Sequence, residues 1–428
     1  MQLRITKLVV LFLLGLLTLF ACKKDGGQPA SPTSYPDKIV LSEVKAAGDS
    51  VKLQWTRLDN SNFVNYSVTR RTLDDTYATS IHRQFNNSAV AFVDNTVPYT
   101  ATVDYQVVAQ LTNGQTVYSN IVSYQRPNIR TVAVAPFDVQ FQPTGRLLYF
   151  FEQSGKILKY DLASERVLTS LATGATIGYS DFATYGGHEE LYVPRNDGWV
   201  FIYDAATLTK IDQLSVGSAA SCVVANNGLL FVSNSAWTNR PLKVYNRATK
   251  QLVAETGDFD RTRFKRIPNT NTELLEITLN IGPTDQNYYS FGPTGTFQGF
   301  SNDTYHGDHP LDATIFEFFP GADRYITSTY GAIYRRNMIY ETTLPRGNKE
   351  FTTFGFDAGA QLIYAGTRTR SVEVYTMNGY SHSRTIPTKA YPYRLFKDPN
   401  GGFICVSSVG ALGPYAPAAA GITIEYIK

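Results

Sequence analysis

Apolar and polar residues alternate in short runs along most of the chain, and the three- and four-residue spacing of an amphipathic helix is absent throughout. The exception to alternation is the N-terminus. Leu8 to Ala21 is a continuous apolar run behind Arg4 and Lys7. It is shorter than the roughly 20 residues a membrane-spanning helix needs and has the shape of a secretion signal, residues 1–21, with Cys22 at its end. Residues 22–36, rich in Lys, Gly, Ser and Pro, read as a polar tether. Residues 37–126 divide into short strands, among them Val51–Trp55, Tyr66–Thr69 and Tyr105–Ala109. The pair Asn113-Gly114 lies between two of these runs and predicts a tight hairpin.

From residue 127 one pattern recurs: strand, polar turn, apolar strand, loop, and an alternating strand that ends in tyrosine. Leu148, Leu191, Leu230, Leu275, Tyr325, Ile363 and Ile404 mark the second strand of seven copies. They are separated by about 43, 39, 45, 50, 38 and 41 residues, which is the period of a β-propeller blade. Third strands follow at Ile157–Asp161, Val200–Asp204, Leu242–Tyr245 and Val372–Tyr375. The seventh copy stops at its third strand, Ile422–Tyr426. The apolar run Thr131–Val134 is predicted to supply the missing fourth strand and close the ring without an open edge. The predicted architecture is all-β: a sandwich over 37–126 and a seven-bladed propeller over 127–428.

Three resemblances add to this reading. Leu19-Phe20-Ala21-Cys22 resembles a bacterial lipobox, and the Cys-Lys-Lys-Asp start resembles lipoproteins of the Bacteroidetes group. The resemblance implies acylation at Cys22 and anchoring in the outer membrane, on the periplasmic or the cell-surface side. The sandwich is similar to a fibronectin type III domain: Trp55 ends a second strand, Tyr105-x-Val107-x-Ala109 matches the sixth, and Ser119-Asn120 opens the last. The second repeat, from Leu191-Tyr192-Val193 through Asp204 to Val216-Gly217, resembles the YVTN-type propeller repeat, and the set as a whole is WD40-like. The Trp-Asp endings, the sialidase Asp-box and the tryptophan motif of quinoprotein dehydrogenases do not occur.

Composition narrows the function. Of 428 residues, 39 are Lys or Arg and 36 are Asp or Glu, a net charge of +3, too balanced for a nucleic-acid binder. Three cysteines exclude a disulfide scaffold, and Cys222 and Cys405, in strand patterns, read as buried thiols. No phosphate-binding glycine loop, Gly-x-Ser-x-Gly or His-Glu-x-x-His motif is present. The one histidine cluster, Asp303 to His309, has no metal-site spacing, so neither a metal nor a cofactor is expected. Asp138, Asp181, Asp312 and Asp357 fall near inner strands at recurring places, which reads as structural hydrogen bonding.

Strand alternation sends the loops between second and third strands, and the loops between blades, to one face. The first set is predicted at 152–156, 194–199, 234–241, 280–287, 329–337, 366–371 and 408–421. These loops carry Arg195, Trp199, Trp237, Arg240, Tyr334, Arg335, Arg336, Arg368 and Arg370 as candidate ligand-binding residues. Inter-blade loops add Arg261, Arg263, His306, His309, Tyr391 and Arg394. Guanidinium forks and aromatic faces suit a planar anion or a sugar. The closing strand enters from the opposite side, so the sandwich is expected there or at the rim, with the ligand face pointing away from the membrane. The sequence favours a non-enzymatic envelope protein that recognises a glycan or a protein partner. The alternatives are a polysaccharide hydrolase or lyase, or a scaffold in an outer-membrane complex.

Overall fold

The computed structural model describes residues 38–47, 49–73, 75–413 and 421–428. Every element among them is a β-strand.

The N-terminal unit is two antiparallel sheets. Lys45–Ala47, Ser50–Gln54 and Ala91–Asp94 form one. In the other, Phe63–Thr72 lies between Thr79–Gln84 and Thr102–Leu111, and Thr102–Leu111 also pairs with Thr116–Tyr118 and Val122–Gln125. Alternate residues of Thr102–Leu111 are fully buried, as a strand with one face on a core requires. Trp55 meets Tyr66 edge-to-face at 5.5 Å in that core. Gly114 takes φ 80°, which the turn after Leu111 needs and a side chain would oppose. Ser119-Asn120 joins the last two strands instead of opening one.

Seven further sheets follow in chain order, six of four strands and a last one of three. Outside sheet five, the second and third strands coincide with those read from the sequence, including Leu147–Phe151 with Lys156–Asp161 and Phe403–Ser408 with Ile422–Ile427. The rhythm has a local cause. Tyr160-Asp161, Tyr203-Asp204 and Tyr245-Asn246 end third strands, and each Asx side chain accepts backbone N–H groups two or three residues on, from Ser164, Thr207 and Thr249 among others. The next residue, Glu165, Leu208 or Lys250, has positive φ, and the chain turns back into a fourth strand.

Each seam between successive sheets is an apolar cluster of its own. Tyr149 and Phe151 pack on Leu191 and Val193 between sheets one and two. Leu275 and Ile277 pack on Tyr325 and Tyr334 between four and five. Val139, Leu148 and Leu158 of sheet one pack on Ile404, Val406 and Ile422 of sheet seven. That last seam closes the ring. Val132 and Ile422 exchange backbone hydrogen bonds of 2.7 and 2.9 Å, beside the strand where closure was expected. A fully buried Leu or Phe in such a seam contributes about 1.5–3 kcal/mol.

The sandwich meets the ring at its rim. Arg370 Nη1 donates to Val97 O at 2.6 Å and to Lys389 O at 3.3 Å, and Arg130 N donates to Tyr99 Oη at 3.4 Å. Arg370 sits in the loop between Leu362–Thr367 and Ser371–Thr376, so the contact falls on the side that carries the loops between second and third strands. Of the two places expected for the sandwich, the opposite side or the rim, these contacts mark the rim, toward the loop-bearing face. The closing strand pairs only at its upper end, so the chain leaves the ring near that face.

Candidate functional site

Inner strands begin on the face that carries these loops: Asp138 heads the inner strand of sheet one and pairs with Phe151, the last residue before such a loop. Heads of several inner strands meet at the centre. Arg263 Nη2 lies 3.3 Å from Asp138 Oδ1, and Arg394 Nη2 lies 3.8 Å from the same oxygen. Arg263 belongs to sheet four and Asp138 to sheet one, which share no seam, so the contact crosses the middle of the ring. Arg263 also donates to Ala313 O at 2.9 Å and lies 4.1 Å from the Tyr179 ring centroid. One guanidinium thus touches sheets one and four and the segments entering sheets two and five. Arg394 stacks on Tyr393 at 4.2 Å, and Tyr393 Oη donates to Pro136 O at 3.0 Å.

The electrostatics of this cluster are lopsided. Two guanidiniums face one carboxylate, an excess of one positive charge. Burial is the largest influence and works against the charge on Arg263, but Asp138, Tyr179, Glu317 and Cys222 together outweigh it, so its pKa rises. Deeper in the ring, Lys265 pairs with Glu317 at 2.8 Å, and burial depresses its pKa. Asp181 accepts the Ala225 N–H at 2.9 Å, and burial pushes its pKa up to about 6. Chemically, the excess positive charge of the axial cluster suits one more anionic group, a carboxylate, sulfate or phosphate, at its forked donors.

The candidates read from the sequence divide into three groups. Trp237 and Arg240 share one exposed loop on the expected face, with Trp237 81% exposed, and Trp199 heads a third strand there, half-buried. Arg195, Arg368 and Arg370 lie on that face but are engaged. Arg195 is buried, stacked 3.8 Å from the Phe201 centroid and bonded to Asp197. Arg368 pairs with Glu350, and Arg370 is held at the sandwich. Tyr334, Arg335 and Arg336 are misplaced by the sequence reading. The loop of sheet five is Ser328 to Gly331, and the third strand, Ala332–Arg335, already contains Tyr334 and Arg335. Tyr334 is fully buried in a seam, and Arg335 and Arg336 emerge on the opposite face, where Arg336 meets Glu273. Cys22 lies outside the described residues.

Other sequence readings are also placed. Cys222 and Cys405 are buried free thiols, and burial pushes Cys222 up to about 12. His306 Nδ1 faces Asp285 at 3.1 Å, while His309 stacks on Tyr340 at 3.7 Å. Among the described residues, no three metal-ligating side chains converge. Asp357 does not match Asp138: it ends its inner strand and pairs with Lys397 at 2.5 Å on the far face. Sequence reasoning named Asp138, Arg263 and Arg394 separately and did not join them, and it missed Tyr179 and Tyr393. Their shared position at inner-strand heads was the available signal.

No family model matches the chain, and no curated protein matches it. Solved structures do. The WD40 repeats of RRP9 align with 70% of this chain and 96% of that one, at 13% identity and a TM-score of 0.53. Kuenenia stuttgartiensis hydrazine synthase aligns with 71% of this chain and 98% of that one, at 15% identity and a TM-score of 0.51. At such identities the likeness concerns the fold alone. With the repeated four-stranded sheets, it places the chain among β-propeller-like proteins.

Proposed function

We propose that this protein is a lipid-anchored envelope protein, held in the outer membrane through Cys22, that binds an acidic glycan or the acidic segment of an envelope protein at the axial mouth of its propeller. A fibronectin type III-like sandwich serves as the spacer between tether and propeller. The observation that carries the reading is the axial pair Arg263 and Arg394, two buried guanidiniums sharing the single carboxylate of Asp138. Trp237 and Arg240 extend the surface outward, since an exposed indole is a ready stacking platform for a sugar or a side chain. The membrane side of the reading rests on the apolar run before Cys22 and its lipobox-like end.

The test is an array of acidic and neutral glycans and envelope peptides, probed with the parent chain, Arg394→Gln and Trp237→Ala. Binding confined to acidic ligands, weakened about tenfold or more by Arg394→Gln, is expected, because a charge-assisted hydrogen bond is worth about 1.5–3 kcal/mol. Equal retention of acidic and neutral ligands, or by both variants, defeats the assignment. Metabolic labelling with a palmitate analogue tests the anchor: Cys22→Ser is expected to lose the label.

A second reading, a polysaccharide hydrolase or lyase, has one observation in its favour. Asp181 is an inner-strand carboxyl whose pKa burial pushes up to about 6, so it keeps its proton to a higher pH than a free carboxyl. Turnover of a polysaccharide that disappears in Asp181→Asn, with the fold intact, would favour it.

A further inference from the structure

Six of the seven propeller sheets carry a full fourth strand of four to seven residues, such as Arg166–Ala172 or Tyr340–Thr343. The seventh does not. Its Ile422–Ile427 strand pairs with Phe403–Ser408 along its whole length, but on the outer side Ile422 alone is paired, with Val132. In an antiparallel ladder, residues alternate in the side to which they present N–H and C=O. Ile424 and Tyr426 therefore present theirs outward as Ile422 does, and no described residue bonds to those four groups. They border a groove of about 700 Å³ between Ile129–Thr131 and the Leu158, Tyr160 and Val167 side chains of sheet one. Tyr426 and Val167 remain 47% and 44% exposed there.

The chain's own linker leaves this slot empty for a reason written in its sequence. Continuing the Val132–Ile422 register sets Arg130 opposite Ile424 and Asn128 opposite Tyr426. Directly opposed residues share a face, and the Ile422–Ile424 face packs on Leu158 and Tyr160. A guanidinium turned onto that apolar face loses its water. Arg130 instead turns outward to Glu165, and Asn128 adopts φ 54°, outside any strand.

We propose that this open edge is a strand-addition site for an extended peptide segment of a partner protein. The segment runs antiparallel to Ile422–Ile427 and carries apolar side chains at two positions separated by one residue, opposite Ile424 and Tyr426. The six complete sheets define what fills such a slot: a strand. Backbone pairing gives the affinity, and the wall of Leu158, Tyr160, Val167 and Ile424 reads the alternate side chains.

Hydrogen–deuterium exchange on the full chain tests this with an acetylated, amidated Ser-Val-Thr-Val-Thr peptide as probe. A second peptide is N-methylated at both valines, whose amides would donate to Ile424 and Tyr426. The peptide is expected to slow exchange at 422–427, and N-methylation to weaken it about tenfold or more, at about fivefold per lost hydrogen bond. In the double variant Asn128→Val with Arg130→Val, the linker can complete the strand itself. The edge is then protected without peptide, and peptide binding is lost. Val167→Asp, at a part-exposed wall position, keeps the test decisive if the double variant does not fold, and is expected to weaken the peptide about fivefold or more. No protection at millimolar peptide, equal binding of the N-methylated peptide, or undiminished binding to the variants overturns the proposal. Concentration-dependent protection of the edge in the chain alone would make a second copy the occupant and overturn it as well.

Discussion

Glu373 gives the sharpest stability prediction. It lies at the centre of Ser371–Thr376 with a fully buried carboxylate. Lys349 Nζ donates at 2.6 Å and Ser371 Oγ at 2.8 Å to one oxygen; Thr385 Oγ1 at 2.6 Å and His382 Nε2 at 2.8 Å meet the other. Burial is the largest influence and would raise the pKa, but the bonds from Lys349, Thr385, Ser371 and His382 together outweigh it and bring the pKa from 4.5 down to about 2. That gap corresponds to about 3 kcal/mol. Because the folded-state value is the lower one, the contribution is complete above about pH 4.5 and is lost as pH falls toward 2. Glu373→Gln keeps the shape and removes the charge, so a loss of about 2–3 kcal/mol is expected at pH 7, shrinking toward pH 3. Urea unfolding followed by tryptophan emission measures it, with Trp199 and Trp237 reporting the propeller and Trp55 the sandwich. If parent and variant lose stability in parallel between pH 5 and pH 3, the assignment of that slope to Glu373 is wrong.

Three further outcomes can be checked in the same assay. Glu276, fully buried with Asn287 and Tyr289 on Oε2, has a pKa raised by burial from 4.5 to about 7. Its favourable contribution is complete below about pH 4.5 and gone above about pH 7, so Glu276→Gln should flatten the pH dependence between those limits; an unchanged profile refutes this. Tyr105→Phe removes the 2.9 Å bond to the buried Asp94 carboxylate and should cost about 1–2 kcal/mol in the Trp55-reported transition alone. Arg263→Met leaves Asp138 with Arg394 at 3.8 Å as its one remaining cation, beside the Gln140 amide at 3.3 Å, and should cost about 3–5 kcal/mol in the propeller; a loss below about 1 kcal/mol would show that the axial contact braces nothing.

The strands and their period are legible in the linear chain because each is a local matter; the apolar run Thr131–Val134 marked the place of closure, which forms as a single bridge between Val132 and Ile422. Period-two burial in the sandwich strands and the Tyr-Asx turn after third strands act within a few residues. The short sheet five shows where such reading fails. Arg324–Thr327 and Ala332–Arg335 are only four residues each, joined at Ser328–Gly331. The polar run Arg335-Arg336-Asn337 has the look of the loop on the ligand face, although it is the turn on the other face. The axial cluster lay beyond sequence reasoning for another reason. Arg263 and Asp138 stand 125 residues apart, and their shared place at inner-strand heads does not by itself say that their side chains meet across the ring. Which arginines stay free and which are spent on Asp197, Glu350 or the sandwich depends on the same long-range packing. Local alternation and turn chemistry therefore sufficed for the blades. Only the curvature that brings seven inner strands to one axis decided which charges face one another.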